Sequence, residues 1–393
     1  MREKLRVAII GAGAAGCFCA INLKRMLPSS EVHLYESKSK ALAKVAVTGG
    51  GRCNLTNTFR CVTHLQEVYP RGEKLMRRAL SVFSADDTCR WFEQEGVRLV
   101  AQEDQCIFPQ SQDAMQIVNT LLRNIKTLGI HLHLGEKVEH VDLSQWDRVV
   151  ITTGGHATPA GFAMLQGLDI PIEPPVPSLF TFNVAGDWHQ QLMGTVVDNV
   201  QMSIPGTKFR SQGPLLLTHW GMSGPATLRL SSYAARHLAC HDYRSPLCVN
   251  WMNTTEQEVR QVVQHLMQEH AQRLVTSAYP PRFTSKHWNQ LLTRMDIPLT
   301  QRWSTLTTKH VNKMVTTLTA DMYEITGRCP FKDEFVTCGG ISLKAVNINT
   351  LQSKLHPTLY FAGEVLDVDA VTGGFNLQAA WSMAYVVAKH IAS

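Results

Sequence analysis

The stretch that most constrains this chain is VAIIGAGAAG, Val7 to Gly16. An apolar run stops at Gly11, small residues follow, and helical spacing begins, which is the pattern of a strand, a tight turn and a helix. Gly11, Gly13 and Gly16 occupy the glycine positions of G-x-G-x-x-G. Those positions need a bend, a close backbone approach to a pyrophosphate, and tight helix-on-strand packing. The helix start, with Ala14 and Ala15 in its first turn, offers free N–H groups and a positive dipole end to phosphate. A second apolar strand, Glu31 to Tyr35, ends at Glu36, 20 residues beyond Gly16. An acid there can accept hydrogen bonds from both hydroxyls of a ribose. The competing interpretation is a glycine-rich turn in an unrelated α/β protein; the second strand and its terminal acid favour a dinucleotide site.

A chain of 393 residues is long enough for two or three cores. Its 44% hydrophobic and 18% charged residues are those of an ordinary globular protein. The charged start, MREKLR, leads through a short apolar run directly into the glycine turn, so it reads as neither signal peptide nor transit sequence. No window has the roughly 18 apolar residues of a spanning helix, and the expectation is a soluble, cytoplasmic protein with no membrane contact. Ten cysteines are scattered without C-x-x-C pairs or zinc-type Cys/His spacing, so no metal is expected and most are read as reduced core residues. Cys17 and Cys19, on the first helix, are assigned to packing.

Charge is unevenly placed. Residues 201–312 hold 12 Lys or Arg against 5 Asp or Glu, an excess larger than the chain's net +6. The same segment carries seven histidines and Trp220, Tyr233, Tyr243, Trp251, Trp288 and Trp303. Basic residues interleaved with aromatics suit nucleic acid, cations meeting phosphate and rings stacking on bases. They equally suit a solvated basic face over core tryptophans.

Along the chain, Ala46 to Asn57, AVTGGGRCNLTN, is expected as a loop approaching something closely, because three consecutive glycines disfavour a helix interior. Helical spacing covers 72–95, with Asp86 as a helix start, and 113–126 behind Asp113; short strands are expected at 97–100, 106–108 and 130–134. Trp146 to Thr153 reads as a strand ending in Gly154 and Gly155, close to the cofactor. From Glu173 the texture changes to period-2 runs at 180–184, 195–202 and 208–212, and then to helical spacing over 256–317. The final 60 residues return to an apolar strand ending at Gly363 and Glu364 and a glycine turn feeding a helix from Val371. The expected division is therefore a discontinuous dinucleotide-binding domain, 1–175 with 330–393, interrupted by a β-rich domain, 176–252, and a helical cap, 253–329.

Four separated stretches, VAIIGAGAAG at 7–16, TGGGRCNLTN at 48–57, GPLLLTHWGMSGPATL at 213–228 and LYFAGEVLDVDAVTGGFNLQAAWS at 359–382, resemble the BaiN/RdsA family of FAD-dependent oxidoreductases, which includes enzymes described as aminoacetone oxidases. The likeness covers nearly the whole chain. It implies a Rossmann-like FAD-binding domain of the glutathione-reductase type, interrupted by an inserted β-barrel-like region and a helical region. Carried over residue by residue, it implies that Gly11, Gly13 and Gly16 hold the pyrophosphate and Glu36 the adenosine ribose. Lys44, Arg52, Cys53 and Asn54 line a loop beside the flavin, and Glu364 meets the ribityl or pyrophosphate region. Gly374, Phe375, Asn376 and Leu377 aim a helix N-terminus at the pyrimidine end of the ring, where reduced flavin carries negative charge. The match adds Ala14, Ala15, Ser37, Gly51, Val138, Thr153, Gly154 and Gly363 to the cofactor-binding set. Two stretches depart from the family pattern near the flavin or substrate mouth: HATPAGFAMLQGLDIP after Gly155 is shorter than usual, and Ile341 and Ala345 replace the usual Val and Glu.

Only one G-x-G-x-x-G occurs, so either NADH or NADPH visits a shared site transiently as reductant or the substrate itself reduces the flavin. No C-x-x-x-x-C pair follows the flavin loop, which argues against disulfide exchange. Cys53 is a candidate proton donor or a packing residue, and His219 a candidate acid or a structural hydrogen-bonding group. Two functions remain open. In one, reduced FAD delivers hydride to an activated C=C bond, the resemblance making uracil of large-subunit ribosomal RNA the lead substrate, contacted through the basic 201–312 segment. In the other, FAD oxidises a small amine such as aminoacetone. A flavin-carrying binding protein without enzymatic activity fits less well, because the glycine loops and helix terminus at the ring tune redox chemistry.

Overall fold

A computed structural model of the chain describes residues 4–156, 158–329 and 336–393. The apolar runs of the first part form a five-stranded sheet, all parallel, in the order Leu359–Phe361, Arg148–Ile151, Arg6–Ile10, Glu31–Glu36 and His131–Leu134. Val7, Ile9, Leu34, Val150 and Phe361 are fully buried in it. The nucleotide helix, Ala14–Met26, and the C-terminal helix, Phe375–Ala392, meet through the ring of Phe18, which sits 5.2 Å from Trp381 and also touches Phe83, Trp91 and Phe92. The final helix, far away in sequence, thereby completes the first domain.

One buried polar network fixes that helix. Gln378, fully buried, accepts from the hydroxyls of Thr56 at 2.6 Å and Thr88 at 2.9 Å and donates to Ser382 at 2.9 Å. Ser382 in turn donates to the carbonyl of Phe83 at 2.7 Å. Every member is satisfied, which makes the network a register lock and not a cost.

Contacts divide the chain into two compact units, Met1–Val176 with Val336–Ser393, and Pro177–Phe335. Residues 330–335, the expected start of the returning segment, lie outside the described residues. The second unit is built on a closed antiparallel barrel ordered Val196–Ser203, Arg210–Thr218, Gly221–Ser223, Phe182–Val184, Asp321–Arg328 and Ser245–Asn250. Its strand Asp321–Arg328 falls inside the segment that periodicity assigned to a helical cap, and helices Pro225–Tyr233 and Ala235–Cys240 fall inside the β-rich one. Sequence texture gives local period only; barrel closure needs a partner strand from beyond the helices. Barrel and helices Glu256–Glu269, Ser285–Arg294 and Thr308–Ala320 share one core, with Trp251, Trp288 and Trp303 at its centre.

Further local differences have plain causes. The start expected at Asp86 is instead Ser84, whose hydroxyl and Asp87 form a reciprocal capping box for Ala85–Gln94. The stretch expected as a loop from Ala46 begins inside a helical segment, Ala43–Gly51, interrupted by non-helical dihedrals at Thr48, Gly49 and Gly50. No helix among the described residues is long and apolar enough to cross a membrane.

Candidate functional site

At the carboxyl edge of the parallel sheet, the three glycines of the first turn differ in what surrounds them. Gly11 has φ +106°, and a Cβ on it would lie 2.6 Å from the carbonyl oxygen of Thr152. A Cβ on Gly16 would overlap the Gly11 carbonyl oxygen and lie 2.6 Å from the hydroxyl of Thr152. That hydroxyl donates to the carbonyls of Ile10 and Gly11, at 3.0 and 2.8 Å, and wedges the turn. Gly13 has nothing within 4 Å of its Cβ position. Protein crowding thus explains Gly11 and Gly16, whereas the open side at Gly13 is a cradle for an outside group. The first helical acceptor is the Gly13 carbonyl, bonded by the Cys17 amide at 3.0 Å, so the amides of Ala14, Ala15 and Gly16 lie in the turn that lacks intrahelical partners. The first turn has no acidic side chain or side-chain cap, and its dipole is available to an anion.

Glu36 closes the same edge. Its carboxylate accepts from the Ala12 amide at 3.1 Å, the Lys38 amide at 3.0 Å and the Ser37 hydroxyl at 3.3 Å. The chain leaving His131–Leu134 runs beside it, with the Glu136 amide on the Glu36 carbonyl at 3.0 Å, and carries half-buried Val138 just beyond.

Three further segments converge here. Gly363, at φ +85°, would place a Cβ 2.9 Å from that of Ala15. The neighbouring Glu364 accepts from the Thr337 amide at 2.8 Å and pairs with Lys44 at 3.5 Å. Gly155 packs so closely that a Cβ would come within 2.5 Å of the Glu364 carboxylate. Thr153 lies 3.2 Å from the ring of His156, and Gly154 takes φ +78°. Burial, then Lys44, pull the His156 pKa down against Glu364, keeping the ring neutral.

The glycine loop is wound left-handed at Gly49, Gly50 and Gly51, with open space at the Cβ positions of the last two. Arg52 is exposed, its guanidinium 4.6 Å from the Phe108 ring centre. Asn54 joins this loop to the C-terminal helix: its amide accepts from Gly374 N at 3.1 Å and donates to the Thr56 carbonyl at 3.0 Å. The first acceptor of that helix is the Gly374 carbonyl, so the amides of Phe375, Asn376 and Leu377 form its partner-free first turn. Their side chains are otherwise occupied in two cases. Asn376 makes paired hydrogen bonds to the backbone of Ala370, at 2.9 and 3.0 Å, and the buried Phe375 ring packs on Phe59. This terminus therefore acts through backbone and dipole.

The two candidate acids fare differently. Cys53 has no exposed surface and takes φ +61°, and burial pushes its thiol up to about 12 although Thr48 hydrogen-bonds it. A thiol so held stays protonated near neutrality. His219 is exposed in the two-residue turn between Arg210–Thr218 and Gly221–Ser223, its ring 4.1 Å from that of Trp220. The aromatic half of the nucleic-acid argument is corrected by burial: Trp251, Trp288 and Trp303 are 0% exposed and donate to Asp321, Val275 and Ala278 inside the second unit. Eight of the segment's cations, Lys208, Arg210, Arg236, Arg244, Arg273, Lys286, Arg302 and Lys309, are exposed.

Sequence reasoning missed Thr152, Thr337, His156 and Gln378. Thr152 was findable, as the polar residue ending an apolar strand opposite the glycine turn. The others depend on contacts between distant segments.

A family model described as the HI0933-like protein Rossmann domain matches residues 5–390. The chain belongs to that family. Relatives aligned over nearly their whole length are a "Ribosomal RNA dihydrouridine synthase" of Haemophilus influenzae, 27% identical over 98% of this chain and 97% of the relative, and one of that name from Escherichia coli, 27% identical over 99% and 98%. A "3-dehydro-bile acid delta(4,6)-reductase" of Clostridium scindens is 24% identical over 98% of each. These findings bear out the BaiN/RdsA resemblance. The family's members are FAD-dependent oxidoreductases with a Rossmann-like domain, and this chain is one of them. The cradle at Gly13 and the two partner-free helix starts fit the pyrophosphate and ring of that cofactor.

Proposed function

We propose that this enzyme is an NADH- or NADPH-driven reductase of a C=C bond conjugated to a carbonyl, with uracil of large-subunit ribosomal RNA as lead substrate. One observation carries the reading: relatives of two substrate classes, aligned end to end with this chain, bear names for the same chemistry, saturation of a conjugated C=C bond. When bound, FAD supplies the two-electron carrier that connects nicotinamide to substrate.

The chain's own residues then have defined tasks. Gly11, Gly13, Ala14, Ala15 and Gly16 would hold the pyrophosphate, and Glu36, Ser37 and Val138 the adenosine end. Lys44, Thr153, Gly154, Gly363 and Glu364 would bind the linking region. Gly51, Arg52, Cys53 and Asn54 would shape the loop beside the ring, with Gly374, Phe375, Asn376 and Leu377 presenting positive dipole to its pyrimidine end. His219, exposed in its turn, would be the candidate acid, and Cys53 is assigned to packing. The choice of RNA over a small enone rests on the exposed cations of the 201–312 segment, which suit a phosphate backbone.

Anaerobic addition of NADH or NADPH to the yellow protein tests the reaction class: rapid bleaching of the flavin absorbance is expected. No bleaching with either nucleotide, together with bleaching by aminoacetone, would replace the reductase with an amine oxidase. Dihydrouridine missing from large-subunit rRNA in a deletion strain, and rRNA binding that weakens steeply with salt, are expected for the lead substrate. Unchanged dihydrouridine, or no rRNA binding at low salt, would remove it.

A further inference from the structure

A histidine cluster lies on the edge of the parallel sheet, on side chains not assigned to the cofactor. Side chains alternate along a strand, so Glu31, His33 and Tyr35 share one face of Glu31–Glu36. The register sets His33 opposite His131 and Tyr35 opposite His133, which brings the edge strand's two histidines to that face. Ring centres of His33 and His131 are 4.6 Å apart and those of His33 and His133 5.2 Å, both pairs nearly parallel, and Trp146 closes one side 5.0 Å from His33. The Glu31 carboxylate and one ring nitrogen each of His33 and His131 all lie within 4.8 Å of one another.

His33 Nε2 is 2.9 Å from Glu31 Oε1, His33 Nδ1 is 3.0 Å from His133 Nε2, and His133 Nδ1 is 3.4 Å from Glu136 Oε1. The His33–His133 hydrogen bond is an outer contact of the kind that orients the ring of a metal-bound histidine. The Arg6 guanidinium, stacked over Trp146 at 4.8 Å on the neighbouring strand, is a nearby cation.

We propose that Glu31, His33 and His131 form a binding site for one divalent transition-metal ion of the zinc class. Two imidazoles and one carboxylate suit Zn2+, Co2+, Ni2+ or Cu2+ over Mg2+ or Ca2+, which prefer all-oxygen sets. His131 is exposed and the other two ligands half-buried, so the ion exchanges with solvent and its fourth position is open to water.

The test is calorimetric titration of tag-free, FAD-loaded, full-length protein, stripped with chelator, with Zn2+. One saturable equivalent is expected, weakened at least tenfold by His33→Ala and by His131→Ala. His265→Ala, at an exposed histidine of the second unit, should leave it unchanged. Because His131 is exposed, the metal-free variant should melt with wild type, which separates ligand loss from misfolding. Absence of a saturable equivalent, or wild-type affinity in both ligand variants, would overturn the site.

Discussion

Gly13 and Gly16 are both motif glycines, yet their replacement by alanine should produce opposite failures. At Gly13 the backbone is extended, φ −84° and ψ −165°, and the Cβ position is open. Alanine there costs the apo fold nothing and, by restricting the unfolded chain, should stabilise it by up to about 1 kcal/mol. The added methyl projects into the cradle, however, and pushes the pyrophosphate off the helix amides. Losing one hydrogen bond to a charged group removes about 1.5–3 kcal/mol, a ten- to roughly hundredfold loss of FAD affinity. At Gly16 the methyl overlaps the Gly11 carbonyl and reaches within 2.6 Å of the Thr152 hydroxyl. It must break the Thr152 hydrogen bonds to Ile10 and Gly11 or part the helix from the sheet. Overpacking of this kind costs about 3 kcal/mol, or roughly 6–12 °C of melting temperature for a unit of this size. Flavin fluorescence quenching on apo protein reads the affinity and scanning calorimetry the stability. A Gly13→Ala variant that melts many degrees early, or that binds FAD like wild type, would refute the division of labour between the two glycines.

Two further perturbations probe the interior. Gln378→Leu keeps the volume but strips the buried hydroxyls of Thr56 and Thr88 of their shared acceptor; a loss of about 2 kcal/mol is expected in urea unfolding, and a change below about 0.5 kcal/mol would mean the network relaxes freely. His287 is fully buried between Trp251 and Phe283, its ring nitrogens have no hydrogen-bond partner among the described residues, and burial pushes its pKa down to about 4. The folded ring stays neutral while the unfolded chain takes up a proton below its ordinary value of 6.5, so stability is full above that pH and falls as pH drops toward 4. The loss is roughly 3 kcal/mol; His287→Phe should abolish this acid limb in pH-dependent unfolding, and an unchanged limb would assign it to other groups.

Much of the cofactor domain was legible because its determinants are local. The glycine spacing, the strand ending at Glu36, the Asp113 cap of Ala114–Thr127 and the Gly374 start of the last helix each lie within a few residues of what they specify. Period-2 texture likewise announced strands near 182–184 and 196–203. Boundaries slipped where a neighbour decided them, as when the Ser84–Asp87 box displaced Asp86.

What the sequence by itself determined, then, is the phosphate-facing chemistry of the first turn, since backbone conformation at a glycine and the dipole of the helix behind it are properties of adjacent residues. Only the tertiary structure decided which glycine is crowded and which open, because that depends on Thr152, 136 residues from Gly16. It also decided that Cys53 is a fully buried thiol, that three tryptophans of the basic segment are core, that the barrel closes with a strand from beyond its helices, and that Glu31, His33 and His131 meet. Burial and register join residues far apart along the chain, and no spacing within it records them.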